Sequence, residues 1–157
     1  MDKATFIEAI RSGRKQWDDL LAEIDESRML EPMEEGGWSV KDTIVHNTWN
    51  EREMIGVCQQ HALVGSDLWN LPQDERNARP VEEKRDVPLS EILAESQQVY
   101  AQFFEAAQTL SDEDLNDARR FRDMPEDWVP WQLIAGSSFD HYPGHIGVIR
   151  RWLDRRA

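Results

Sequence analysis

Ser39-Val40-Lys41-Asp42-Thr43-Ile44-Val45-His46-Asn47-Thr48-Trp49 reads as the opening of a capped helix. Ser39 stands at the N-cap, and Asp42, three residues on, is in capping-box position. Trp38 is placed to pack back on the first turn. Val40, Ile44, Thr48, Glu51, Ile55, Cys58 and Ala62 share one mostly apolar sector, in which the charged Glu51 is the exception, and the helix is expected to run to about Val64. His46, Asn50, Glu53 and Val57 form a neighbouring stripe.

Working outward, the same periodicity predicts three further long helices. Phe6, Ile10, Trp17, Leu20, Leu21 and Ile24 mark one from about Ala4 to Ile24, with Gly13 weakening its middle. A loop through Pro32 and Gly36-Gly37 leads to the helix at Val40. Gly65 to Val87, with Pro72 and Pro80 inside it and Glu82-Glu83-Lys84-Arg85-Asp86 near its end, reads as a long crossover holding at most one short helical turn. Ser90 to Leu110 is a third helix, with Ile92, Leu93, Val99, Tyr100, Phe103 and Phe104 on its apolar face. Another short helix is expected after Ser111, then an irregular segment over Arg119 to Asp127. The fourth helix is expected to open near Pro130 and to run from Trp131 to about Asp154, kinked at Pro143. No alternating strand pattern competes with this reading. The expected fold is all-α: a single domain over residues 1–157, a four-helix bundle with a long crossover between helices 2 and 3.

Bulk composition narrows the function classes. The chain has 157 residues, a formal net charge of -13 and 31% charged residues, with seven Trp. An acidic surface of that size repels phosphate backbones, so no nucleic-acid partner is expected. No apolar run is long enough to span a membrane, and the start, Met1-Asp2-Lys3-Ala4, has no signal-peptide pattern. Cys58 is the one cysteine, so no intrachain disulfide can form. A cytoplasmic location is expected.

The chemistry-bearing stretch is Phe139-Asp140-His141-Tyr142-Pro143-Gly144-His145, which holds two of the four histidines. Positions i and i+4 share a helix face, so two imidazoles spaced in this way can grip one metal ion. Such a pair alone is a weak signal and reads more readily as two structural or exposed histidines. Ser137 and Ser138 beside His141 leave room for a ligand where a packed core would hold bulky aliphatics. A third ligand is needed, and His46 is the candidate. Three neutral imidazoles leave coordination positions open, as in catalytic sites, whereas structural zinc sites close all four. Cys58 lies roughly 18 Å along its helix from His46 and reads as a core thiol, and His61 as a surface residue near a helix end. Asn50 and Glu53 follow His46 at i+4 and i+7. They are candidates to orient it, bind substrate or act as acid or base, and Glu53 reads equally as a solvated charge. The kink at Pro143 falls between the two histidines, either spoiling their shared face or opening the helix toward a ligand.

Gly37-Trp38-Ser39-Val40-Lys41-Asp42, then His46, then His141-x-x-x-His145, resembles the DinB-like superfamily over nearly the whole chain. His46-Asn47-Thr48-Trp49 and His141-Tyr142-x-x-His145 resemble most a subgroup that includes bacterial self-protection proteins against the genotoxin colibactin. The resemblance implies a four-helix bundle, often a homodimer, and a divalent metal held by His46, His141 and His145. It also implies relatives that are thiol-dependent transferases and isomerases using low-molecular-weight thiols, or hydrolase-like resistance proteins. Pro143 and Gly144 depart from what that pattern leads one to expect between ligands. The function expected is metal-dependent, with Zn or Ni: hydrolysis, or thiol transfer to a small electrophile, in detoxification or resistance. Glu53 or Asn50 would position the substrate or move protons. The alternatives are a non-catalytic bundle that binds or sequesters a small molecule, and a purely structural or interaction protein.

Overall fold

A computed structural model of the chain describes residues 1–34 and 37–155. Of the Gly36-Gly37 loop expected before the second helix, Gly36 lies outside the described residues. Seven α-helices form among them, with three short 3₁₀ turns and no strand. The helices are α1 (Lys3–Ala22), α2 (Val40–Gln60), α3 (Gln73–Glu83), α4 (Leu89–Ala107), α5 (Asp112–Asn116), α6 (Pro130–Gly136) and α7 (Tyr142–Arg155). No helix among the described residues is long and apolar enough to cross a membrane.

α1, α2, α4 and α7 make the bundle: α1 packs on α4 and α7, and α2 packs on the same two. Its interior holds two apolar clusters. One joins Phe6, Ile10, Val57, Phe103, Leu110 and Ile134, and the other Trp17, Leu20, Val40, Ile44, Ile149 and Trp152. A polar layer lies between them in chain order on each helix: Arg14 between Ile10 and Trp17, Glu51 between Ile44 and Val57, Ser96 between Ile92 and Phe103.

Local chemistry sets the helix ends. The Ser39 hydroxyl accepts from the Asp42 N–H at 3.1 Å, and the Asp42 carboxylate accepts from the Ser39 N–H at 2.8 Å. That capping box fixes the start of α2 at Val40. α2 stops at Gln60, short of Val64, because His61 takes a left-handed conformation with φ 46°. The chain then turns to pair with residue 122: the Arg122 N–H donates to the His61 carbonyl and the Leu63 N–H to the Arg122 carbonyl, both at 2.8 Å.

Two expectations are corrected. The crossover is not one short turn in a long loop. It carries a 3₁₀ turn (Asp67–Asn70) and then the 11-residue α3, which packs on α2. Asp74 and Glu75 in its first turn suit the positive end of the helix dipole, and Glu75 pairs with Arg79 at 3.3 Å. Pro80 falls near its end, where the lost donor interrupts only the last turn. The fourth helix is not kinked but broken, into α6 and α7, with a turn over residues 137–141. Pro143 is the second residue of α7, where its missing N–H leaves nothing unpaired.

Candidate metal centre

His46 lies in the second turn of α2, behind the capping box, with the Trp38 ring 5.1 Å away centroid to centroid. Trp38 thus reaches past the first turn to wall the histidine. His141 is the last residue of the turn between α6 and α7. The turn is built by the Asp140 N–H donating to the Ala135 carbonyl and the His141 N–H to the Ser138 carbonyl, both at 2.9 Å. The Ser138 hydroxyl donates to the Ile134 carbonyl at 2.7 Å, which ties the turn to α6. His145 stands in the first turn of α7. Close approach of α1 holds this junction in place. A Cβ on Gly13 would stand 2.7 Å from the Cβ of Phe139, a contact only glycine avoids.

The break does not separate the two histidines. Nε2 of His145 lies 3.0 Å from Nε2 of His141, which lies 3.1 Å from Nε2 of His46. One ligand atom from each falls within 4.8 Å of the others. Nitrogens bound at about 2.0–2.1 Å to one ion stand roughly 3.0–3.4 Å apart, so the spacing fits a shared cation. Without one, the arrangement is poorly satisfied. Nε2 of His141 carries at most one hydrogen and faces two ring nitrogens, so only one of them can receive it.

The protonation states agree. Burial pushes His46 down to about 3, and the neighbouring His141, His145 and Arg76 push the same way. Burial, then His141, pushes His145 down to about 4, and burial lowers His141. All three imidazoles are therefore neutral at pH 7, the form that binds metal. Nδ1 of His46 and Nδ1 of His141 are buried without partners, so no carboxylate orients either ring from behind. Asp140, next to His141 in sequence, is exposed and does not orient it.

The two other candidates part company. Asn50 stays with the cluster. Its amide donates to the His46 carbonyl at 3.0 Å and lies 3.5 Å from Nε2 of His46. With His46, His141 and Ser137 it lines an open cavity of ≈ 360 Å³. Glu53 leans away. Its Oε2 accepts from the Ser66 N–H and from the Trp69 indole N–H, both at 2.7 Å, and the residue does not line that cavity. Cys58 is fully buried, which pushes its thiol up to about 12, and His61 pairs with Asp114 at 3.3 Å.

Sequence reasoning missed the network behind the site. The Tyr142 hydroxyl, one residue from His141, donates to Oε1 of Glu51. Arg14 lies 3.4 Å from Oε2 of Glu51 and 3.2 Å from the Ser96 hydroxyl. Trp17 stacks on Tyr142 at 5.7 Å. Burial pushes Glu51 up to about 7, against Arg14 and the Tyr142 hydroxyl. Burial opposes the Arg14 cation, but Glu51, Tyr142 and Asp18 raise it above its usual value. The signal for Glu51 was present, as an acid in an apolar sector.

Comparison with known proteins agrees with this architecture. The family model of the DinB superfamily matches residues 9–149. A crystal structure of an uncharacterised protein from Escherichia coli UTI89 superposes with a TM-score of 0.79 over 99% of this chain and 94% of that one, at 16% identity. At that identity the likeness speaks for the fold alone. A comparison with curated proteins finds no match. A broken-helix bundle gathers three imidazoles, and a family match runs from α1 into α7: the chain belongs to the DinB superfamily.

Proposed function

We propose that this chain is a metal-dependent enzyme acting on a small electrophile, by hydrolysis or by thiol transfer, in a detoxification or resistance role. The observation that carries the reading is the convergence of three imidazoles: Nε2 of His141 stands 3.0–3.1 Å from Nε2 of His145 and of His46, and all three ligand atoms lie within 4.8 Å of one another. These residues would hold a divalent ion, with zinc or nickel suited to three imidazoles. Such an ion supplies Lewis acidity and brings water or a thiol to its reactive form near pH 7. The chain's own residues keep the ring nitrogens unprotonated by burying them, and Asn50 offers an amide beside His46 to hold the substrate. Cys58 is buried and protonated, so in the thiol reading the nucleophile is a low-molecular-weight thiol from solution. Glu53 acts indirectly here, by fixing Trp69.

The segments His46-Asn47-Thr48-Trp49 and His141-Tyr142 support placing the chain with the colibactin self-protection subgroup. A homodimer follows from the same resemblance. A second reading, sequestration of a small molecule without chemistry, is favoured by the exposed rings of Trp69 and Trp128 along a neighbouring cavity.

Elemental analysis of untagged protein, wild type and His141→Ala, tests the metal reading. Near-stoichiometric metal in the first and little in the second is expected. No metal in either after Zn²⁺ and Ni²⁺ are offered refutes it. Turnover of a candidate electrophile by loaded protein separates catalysis from sequestration.

A further inference from the structure

The cavity over the histidines has a feature that neither the metal nor its ligands require. Arg76, on α3, lines it, and no carboxylate does. In a chain with 31 acidic residues, most arginines find one. Arg14, Arg52, Arg79, Arg119, Arg120 and Arg150 are each paired. Arg76 makes no ion pair and no side-chain hydrogen bond among the described residues. Its one close partner is the face of Trp69, 4.7 Å from guanidinium carbon to ring centroid. That stack leaves the five N–H donors free at the guanidinium edge.

The support beneath it is built. Trp69 donates its indole N–H to Glu53 at 2.7 Å and packs against Trp49 with centroids 5.3 Å apart. A Cβ on Gly65 would stand 2.6 Å from the Trp69 ring, so the chain passes tightly behind it. The guanidinium is near enough to be felt at His46, whose basicity it lowers. The rest of the polar lining is neutral: Asn50, Gln73, Asn77, Gln132 and Ser137. One fixed cation among neutral amides suits a monoanion. A phosphate dianion, in a chain of net charge -13, would need more positive charge than this. Trp69 and Leu133 also line a second cavity of ≈ 410 Å³, whose walls include Met54, Val57 and Trp128. The two cavities therefore adjoin, one polar and one largely apolar.

We infer that Arg76 binds the carboxylate of a small amphiphilic acid, whose apolar arm occupies the Met54–Trp128 cavity and whose polar end lies over His46 and His141. This names the substrate class for the site proposed above and rests on that reading for its role in turnover. The binding itself does not depend on a metal. Glu53 and Trp69 are positioning residues for Arg76.

The test is a titration of metal-free protein followed by the Trp69 indole N–H resonance, with hexanoate, hexanamide, acetate and inorganic phosphate as probes. Hexanoate should shift the resonance saturably and more tightly than acetate, and hexanamide should leave it nearly unmoved. A hydrogen-bonded charge pair implies that Arg76→Gln weakens hexanoate by about tenfold or more, with Arg76→Lys between. The titrated protein holds no metal, so a saturable hexanoate response that Arg76→Gln weakens separates this inference from the metal reading. Equal binding of hexanoate and hexanamide, an unaltered affinity in Arg76→Gln, or phosphate binding more tightly than hexanoate overturns the assignment.

Discussion

Replacing Tyr142 by Phe removes one hydroxyl and keeps the ring that stacks on Trp17, with 11° between the planes. The hydroxyl donates to Glu51, whose side chain is 1% exposed. Once it is gone, only Arg14, 3.4 Å from the other oxygen, remains to that carboxyl. A buried hydrogen bond contributes about 1 kcal/mol between neutral groups and about 1.5–3 kcal/mol when one is charged. Which figure applies depends on the proton of Glu51. Burial pushes that carboxyl up to about 7, above its ordinary 4.5. The folded state therefore holds the proton more tightly than the unfolded chain. The resulting stability is full below about pH 4.5 and is lost as pH rises through about 7. The hydroxyl steadies the ionised form, so its removal deepens the loss on the alkaline side. Tyr142→Phe should cost about 1 kcal/mol near pH 5.5 and about 2–3 kcal/mol near pH 8. Urea unfolding of metal-free protein at the two pH values measures both. An equal cost at each, or a larger one in acid, would refute the reasoning.

Gly13→Ala gains about 1 kcal/mol of helix propensity but drives a Cβ to 2.7 Å from Phe139, beside the turn that carries His141. Overpacking should win, with a net loss of about 1–2 kcal/mol in thermal unfolding and weaker zinc binding; a stabilised variant would contradict this. Asp114 accepts from the Ser111 N–H at 2.8 Å and pairs with Arg120 and His61. Burial alone would raise its carboxyl, but Arg120, Ser111 and His61 hold it well below the usual carboxylate range. Its contribution is thus present above about pH 3.8 and fades as pH falls through the lowered folded value. Asp114→Ala should cost about 2 kcal/mol at neutral pH and less near pH 3, by denaturant unfolding at both. Zn²⁺ or Ni²⁺ at about a hundred times its Kd should stabilise wild type by about 2.7 kcal/mol and His145→Ala hardly at all, reversed by chelation in a thermal melt.

Features whose cause is local were legible in the sequence. The start of α2 follows from Ser39 and Asp42 alone, because a capping box needs nothing beyond its own turn. The long apolar stripes gave the bundle helices for the same reason. α3 stayed hidden because its residues are mostly polar, and packing on α2 supports it where periodicity is silent. Pro143 was ambiguous: a proline that kinks a helix and one that opens a helix look alike in sequence. The turn bond from Asp140 to Ala135 decides between them. At the candidate site, the 141/145 spacing was readable, but the approach of His46 is a property of the whole bundle. Glu51 stood out in its sector, yet its partner Arg14 is 37 residues away on another helix. Glu53 shares a stripe with His46, and the crossover, through Ser66 and Trp69, turns it elsewhere.

His46 and His141 lie 95 residues apart in the chain. In chain order His46 precedes His141 and His145 by most of the bundle, so the three-ring cluster can form only once the start of α7 has been made. Once folded, an ion shared by the three rings would close a loop of that length and act as a non-covalent cross-link between the two halves of the bundle. Loss of the ion would then leave α7 held to α2 by side-chain packing alone.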